Sequence, residues 1–153
     1  MTQRMRFKIN PEAQSYCPIA TCAEVLADRW SVIVLRDIAI CNHRTFRAIL
    51  ANNNEKISTG VLASRLQRLC DIGLLHFKDD PSHAQRKIYC LSSEAIDLVP
   101  ILVDMAAWAL THAAPAEEPI AVPKDMMRAP SEYSKTLTQS LRLSHLDQGE
   151  AAR

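Results

Sequence analysis

From Ser58 to Asp71 the apolar residues return on a helical period, and immediately afterwards the period falls to two. At roughly 100° per residue, Leu62, Leu66 and Leu69 share one face of the predicted helix, with Val61 and Ile72 on its flank. Gly60, Ser64, Gln67 and Arg68 fall opposite, with Arg65 at the boundary. Ser58 suits the N-cap, where its hydroxyl can accept from an otherwise orphaned first-turn amide. Gly73 suits the left-handed residue that closes a helix. Beyond it Leu75 and Phe77 alternate with His76 and Lys78, the mark of a half-buried strand. Asp79-Asp80-Pro81-Ser82 supplies turn residues, and Arg86-Lys87-Ile88-Tyr89-Cys90-Leu91 reads as the returning strand.

The same periodicity places further helices. Residues 18–27 form a short one, and residues 30–40 a more apolar one, with Trp30, Ile33, Val34 and Ile38 in a stripe and Arg36 and Asp37 turned away. Residues 44–50 fit the helix before the one over residues 58–71, with Phe46, Ile49 and Leu50 inward, and Asn52-Asn53-Asn54 makes a polar turn. Residues 93–112 are helical in pattern but apolar nearly all round, and such a helix must be covered on several sides. Pro100 is expected to bend it, because its ring removes an amide donor and crowds the preceding turn. Four prolines then punctuate an extended linker over residues 114–130. Residues 131–146 read as a final helix capped by Ser131, with a flexible tail as the alternative.

A helix with small, hydrogen-bonding residues outward and a basic hairpin behind it has the parts of a DNA reader. Gly60 and Ala63 let the backbone approach a groove, and Ser64 and Gln67 can bond base edges. Ser58 and Thr59 stand at the helix entrance, and Arg65 and Arg68 can reach guanine or phosphate. Arg86 and Lys87 are the wing residues suited to phosphate, whereas Asp79 and Asp80 dilute the charge of the tip. An ordinary solvated helix face would carry similar residues; the hairpin favours the DNA reading.

The ordered series Cys17-Pro18, Trp30 with Leu35-Arg36-Asp37, Arg44-x-Phe46, Ile57-Ser58-x-x-Val61-Leu62-x-x-Arg65-Leu66-x-x-Leu69-x-x-x-Gly73-Leu74, Arg86-x-x-Tyr89-x-Leu91-Ser92, Pro100-x-Leu102 and Trp108 resembles the HxlR-type bacterial transcriptional regulators, which are related to the MarR group. The resemblance runs from about residue 17 to residue 112. It implies a mainly α fold with a small β-hairpin wing, a winged helix-turn-helix that dimerises through its terminal helices. It departs at Ala27-Asp28, where the family usually has a Gly pair, at Lys87-Ile88, at Ala95, and in a slightly lengthened loop over residues 52–56. In several members the cysteine at the position of Cys17 senses oxidants or reactive carbonyls.

Charge sharpens this picture. The 153 residues carry a formal charge of only +1, but residues 29–87 hold a net +5 and residues 88–153 a net −4. Positive charge therefore gathers in the proposed DNA-binding half. Residues 1–10 are polar and basic without an apolar run behind them, and no uninterrupted apolar stretch reaches bilayer length, so a cytoplasmic protein with no membrane association is expected. Five cysteines without framework spacing fit reduced thiols. Pro18 fits the first position of its helix and places Cys17 at the N-cap, where the helix dipole favours a thiolate. Cys17 is accordingly a candidate thiol sensor, with a structural cap as the alternative; Cys22, Cys41, Cys70 and Cys90 read as core or boundary residues.

Cys41-Asn42-His43 offers two metal donors, but no second pair stands at zinc-type spacing, so no metal and no cofactor is expected. With three glycines there is no phosphate loop, and no triad order is present; an enzyme is not expected. Three regions follow: an arm over residues 1–16, a DNA-binding and dimerisation domain over 17–113, and an extension over 114–153. The expected function is a sequence-specific regulator binding a pseudo-palindromic operator in double-stranded DNA as a homodimer, with Ile101, Met105 and Trp108 in the subunit contact and a small molecule or oxidant as inducer. The alternative is a winged-helix protein–protein interaction module. An apolar outward face on the helix would favour that second reading, and the Ser64 face is polar.

Overall fold

The computed structural model describes residues 17–113 and 122–146; the proposed arm over residues 1–16 lies outside them. The order is α1 (Pro18–Leu26), α2 (Arg29–Ala39), α3 (Phe46–Asn52), α4 (Thr59–Asp71), β1 (Leu75–Asp80), β2 (His83–Leu91), α5 (Ser93–Asp97), α6 (Val99–His112), α7 (Lys124–Arg128) and α8 (Pro130–His145). It is a mainly helical winged helix-turn-helix in which α3 and α4 form the helix pair and β1–β2 the wing.

Local signals set most boundaries. Asp28, Thr45, Ser58 and Ser92 each cap the following helix, their side-chain oxygens accepting from the amides of Ser31, Ala48, Val61 and Ala95. At the end of α4, Gly73 has a φ of 82°. Its amide donates to Cys70 O at 3.0 Å and that of Leu74 to Leu69 O at 2.9 Å, the paired bonds of a Schellman ending. That turn drops Leu74 and Leu75 into the core at the base of the wing.

The core lies between α2, α4, the base of the wing and α5–α6. Leu35, Ile38, Ile49, Leu62, Leu66, Leu69, Leu91 and Ile96 are fully buried within it. The leucine stripe expected on α4 is thus the face it presents to α2. The strands are antiparallel, with Leu75 opposite Leu91, Phe77 opposite Tyr89 and Asp79 opposite Lys87; a bulge at Asp79/Asp80 then brings Asp80 opposite His83. The turn is therefore Pro81-Ser82, two residues rather than the four expected, and Asp79 and Asp80 belong to β1.

Other expectations need correction. Pro100 does not bend a continuous helix: the chain ends α5 at Asp97, turns at Leu98 and restarts, with Pro100 in the first turn of α6. That first turn is where a missing N–H is harmless. Asp37 is not turned away but 2% exposed, because its carboxylate is paired inside the protein. Phe77 is 46% exposed, because the wing projects beyond the core; it is covered instead by Tyr89 edge-on and Lys87. The described part of the linker contains α7, anchored by buried Met126.

The final helix starts at Pro130 behind Ala129, with no side-chain cap, rather than at a Ser131 cap. It is docked: Leu141 and Leu146 enter the core, and buried His145 accepts the Leu91 amide through Nδ1 at 3.0 Å. Residues 93–112 are long and apolar enough by composition to cross a membrane. The stretch breaks at Leu98, and Ala95, Ile96, Val99, Leu102 and Val103 are its residues buried in this core.

Candidate nucleic-acid interface

The outward face of α4 is made of Thr59, Gly60, Ala63, Ser64 and Gln67, all exposed, with Ser58 exposed at its entrance. A β-carbon added at Gly60 would meet nothing within 4 Å, so no internal contact requires glycine there. Gln67 donates from Nε2 to Asp71 Oδ1 at 2.7 Å, one helical turn on. Such an exposed pair can be exchanged for a base edge, because an amide offers both donor and acceptor.

Arg65 and Arg68 are placed differently from the sequence expectation. Arg65 Nε donates to Asp28 Oδ2 at 2.7 Å. Arg68 donates to Ser31 Oγ at 3.1 Å and to the Glu24 carbonyl at 2.6 Å. Both guanidinium groups clamp the start of the recognition helix's neighbour, the corner between α1 and α2. The Asp28 carboxylate also accepts from the Ser31 amide and hydroxyl. Burial works to raise its pKa, but the bonds from Ser31 and Arg65 outweigh this and hold it below the usual range. Sequence spacing could not show this, since the partners stand 37 residues or more away in the chain.

On the wing, Asp80 turns out to shape the tip. Its carboxylate accepts from the Ser82 hydroxyl and amide at 2.6 and 2.8 Å and from Arg86 Nε at 2.6 Å. These Ser82 bonds, with help from Arg86, lower its pKa to about 2. Arg86 is exposed but tied to this turn, while the Lys87 ammonium stands 4.0 Å above the Phe77 ring. A cation over an aromatic face keeps its charge available at a defined place. Lys78 is exposed on the opposing strand, as are Arg47 on α3 and Lys56 two residues before the Ser58 cap. These three exposed cations are not singled out by the sequence pattern; the one sequence signal for them is the local excess of positive charge.

The wing is tied to the segment that leads into α3. The Arg44 carbonyl accepts the Tyr89 amide at 2.7 Å, and Arg44 Nε donates back to the Tyr89 carbonyl at 3.0 Å. Phe46, Ala63, Leu66, Gln67, Cys70, Phe77, Lys87 and Tyr89 line a shallow groove of about 200 Å³ between α4 and the wing.

This arrangement, an exposed polar helix face beside a basic wing, defines a winged helix-turn-helix DNA reader. The family model of the HxlR-like helix-turn-helix matches residues 25–117, and the chain belongs to that family of transcriptional regulators. It is similar to the HTH-type transcriptional regulator sll1512 of Synechocystis sp., with 29% identity over 94 residues, 61% of this chain and 68% of that protein. Among solved structures it resembles PA1607, named as a transcription-factor candidate, at a TM-score of 0.62 and 24% identity over 72% of this chain and 75% of that one. It also resembles the reduced form of the transcriptional regulator YodB from B. subtilis, at a TM-score of 0.51 and 25% identity, covering 67% of this chain and all of that one.

The remaining expected site residues are separate from this face. Ile101, Met105 and Trp108 are 39%, 45% and 65% exposed on α6, with Leu110 beside them. Cys17 is exposed at the N-cap of α1, with Pro18 behind it in the first turn, and its side chain makes no capping hydrogen bond.

Proposed function

We propose that this protein is a sequence-specific transcriptional regulator that binds a pseudo-palindromic operator as a homodimer in the cytoplasm. The observation that carries the reading is the outward face of α4, Thr59 to Gln67, flanked by the Lys87 wing. Ser64 and Gln67 read base edges in the major groove; Gly60 and Ala63 allow the backbone close approach. Lys87, Lys78 and Arg47 meet phosphates and set the register without reading sequence. Arg65 and Arg68 hold α4 against the α1–α2 corner in the free protein and reach DNA only by giving up those partners.

The dimer is supported by the large apolar side chains left exposed on α6. Among the described residues those side chains lie on α1, β1, α6, α7 and α8, and none on the outward face of α4. That distribution disfavours α4 as a protein-docking surface and makes α6 the natural subunit contact. Two-fold symmetry then sets two half-sites about 34–36 Å apart or a multiple of it. Cys17, exposed at its helix start, is the residue through which an oxidant or electrophile would act, displacing α1 and with it the Arg68–Glu24 contact. Selection of genomic fragments by the purified protein tests the whole reading. It should return a symmetric motif bound with steep salt dependence; sequence-blind or salt-insensitive binding would refute it.

A further inference from the structure

Where α2 ends, three side chains of metal-ligating type converge, a grouping separate from the DNA-binding face. Asp37, Cys41 and His43 each offer a donor atom, and these atoms lie within 4.8 Å of one another. Asp37 and Cys41 are one helical turn apart, and the turn after the helix folds His43 back beside them. Asn42 takes a left-handed φ of 55°, and the His43 amide donates to the Asp37 carbonyl at 2.9 Å. His43 Nδ1 is buried and has no hydrogen-bond partner, and a buried polar atom left unpaired is destabilising unless something else satisfies it.

We propose that Asp37, Cys41 and His43 form a site for a borderline-soft divalent cation, Zn2+ being the best match, bound by one oxygen, one sulfur and one nitrogen. Three protein ligands with a fourth position for water is a recurrent zinc arrangement. Metal–ligand distances of about 2.0–2.3 Å bring tetrahedral donors to roughly 3.5 Å apart, so closing the site takes side-chain shifts of about 1 Å. Asp37 stays able to ligate although it is already held. Arg36 Nε and Nη2 donate to Oδ1 at 2.9 and 2.6 Å, and Asn53 Nδ2 donates to Oδ2 at 3.1 Å. A carboxylate oxygen has two lone pairs, so Oδ2 keeps one for a metal, while its partners fix its orientation.

Charge also fits. Asp37, Glu55 and an ionised Cys41 stand against Arg36, which is paired with both carboxylates, leaving a net −2 that a divalent cation neutralises. Binding forms the sulfur–metal bond as the Cys41 proton leaves to solvent. The consequence concerns the helix pair: Asn53 also accepts the Ile57 amide at 3.0 Å, just before the Ser58 cap. A bound cation therefore ties the end of α2 to the entrances of α3 and α4. In the sequence Cys41 and His43 stand without a second pair at zinc-type spacing, and only the fold brings Asp37 beside them.

The test uses the full chain, stripped with a chelator and then titrated with Co2+ and with Zn2+ against a chromophoric competitor. One equivalent per chain is expected, with a thiolate-to-cobalt charge-transfer band, and Zn2+ at 100-fold over its Kd should raise Tm by roughly 6–10 °C. C41S should remove the band and stoichiometric binding, and H43Q should do so independently should C41S fail to fold. N53A should weaken binding by about 10–100-fold while leaving the stoichiometry at one. Absence of stoichiometric binding in the wild type, or a band that survives in folded C41S or H43Q, overturns the proposal.

Discussion

Lowering the pH from 7 to 5 is expected to loosen α8 from the base of the wing, and His145 is the reason. Its ring is buried, and Nδ1 accepts the Leu91 amide, so the folded state needs a neutral imidazole with its proton on Nε2. A second proton would turn Nδ1 into a donor facing a donor. Burial first, then the charges of Arg44, His76 and Lys78, lower the pKa from 6.5 to about 4. The sign follows from proton uptake. Between those two values the unfolded chain binds the proton and the folded chain does not, so stability falls as pH falls through this window and levels off below about 4. At about 1.4 kcal/mol per pH unit, the ceiling by pH 5 is about 2 kcal/mol. Screening of the exposed His76 and Lys78 charges reduces it to about 1–2 kcal/mol. Other groups titrate in the same range, so the informative quantity is the difference from His145→Asn, whose Oδ1 can accept the Leu91 amide without titrating. Denaturant melts at pH 7 and 5 should show the wild type losing about 1–2 kcal/mol more than the variant. Equal losses in both, or a His145 titration near 6.5 by NMR, would refute the reasoning.

Other expectations follow from the same geometry. Gln67→Ala or Ser64→Ala should flatten preference at individual base pairs by about 1–3 kcal/mol, whereas Lys87→Ala should weaken all sequences alike and reduce the salt slope by about one phosphate; binding-site selection at several salt concentrations separates the two. Met105→Asp puts an unpaired charge into the proposed subunit contact and should lower dimer content and DNA affinity together, as read by sedimentation and gel shift. Cys17 should react with iodoacetamide faster than Cys22, Cys41, Cys70 or Cys90, and Cys17→Ser should abolish any diamide response without abolishing DNA binding; mass-spectrometric labelling showing equal rates would leave it a structural residue. Gly73→Ala should destabilise by about 1 kcal/mol through its φ of 82° alone, since a β-carbon there meets no atom within 4 Å, and a cost near zero in thermal melts would contradict the Schellman ending.

The features legible in the sequence are those fixed by neighbours along the chain. The Ser58 cap, the Leu62-Leu66-Leu69 stripe and the Gly73 ending each depend on interactions within a turn or two, and the structure places them as read. The ordered motifs carried the family for the same reason. Long-range pairing decided the rest. Whether Arg65 and Arg68 face DNA or the α1–α2 corner depends on Asp28, Ser31 and Glu24, which packing alone brings into reach. Asp37 is periodically a surface position, yet Arg36 and Asn53 make its burial tolerable and bring it beside Cys41 and His43. Phe77 has a strand's inward phase, but the wing extends past the core it would have entered. His145 meets Leu91 across 54 residues, so only the tertiary structure could attach the final helix to the wing. Periodicity states which face a residue shares; which partner waits on that face is settled when the elements pack.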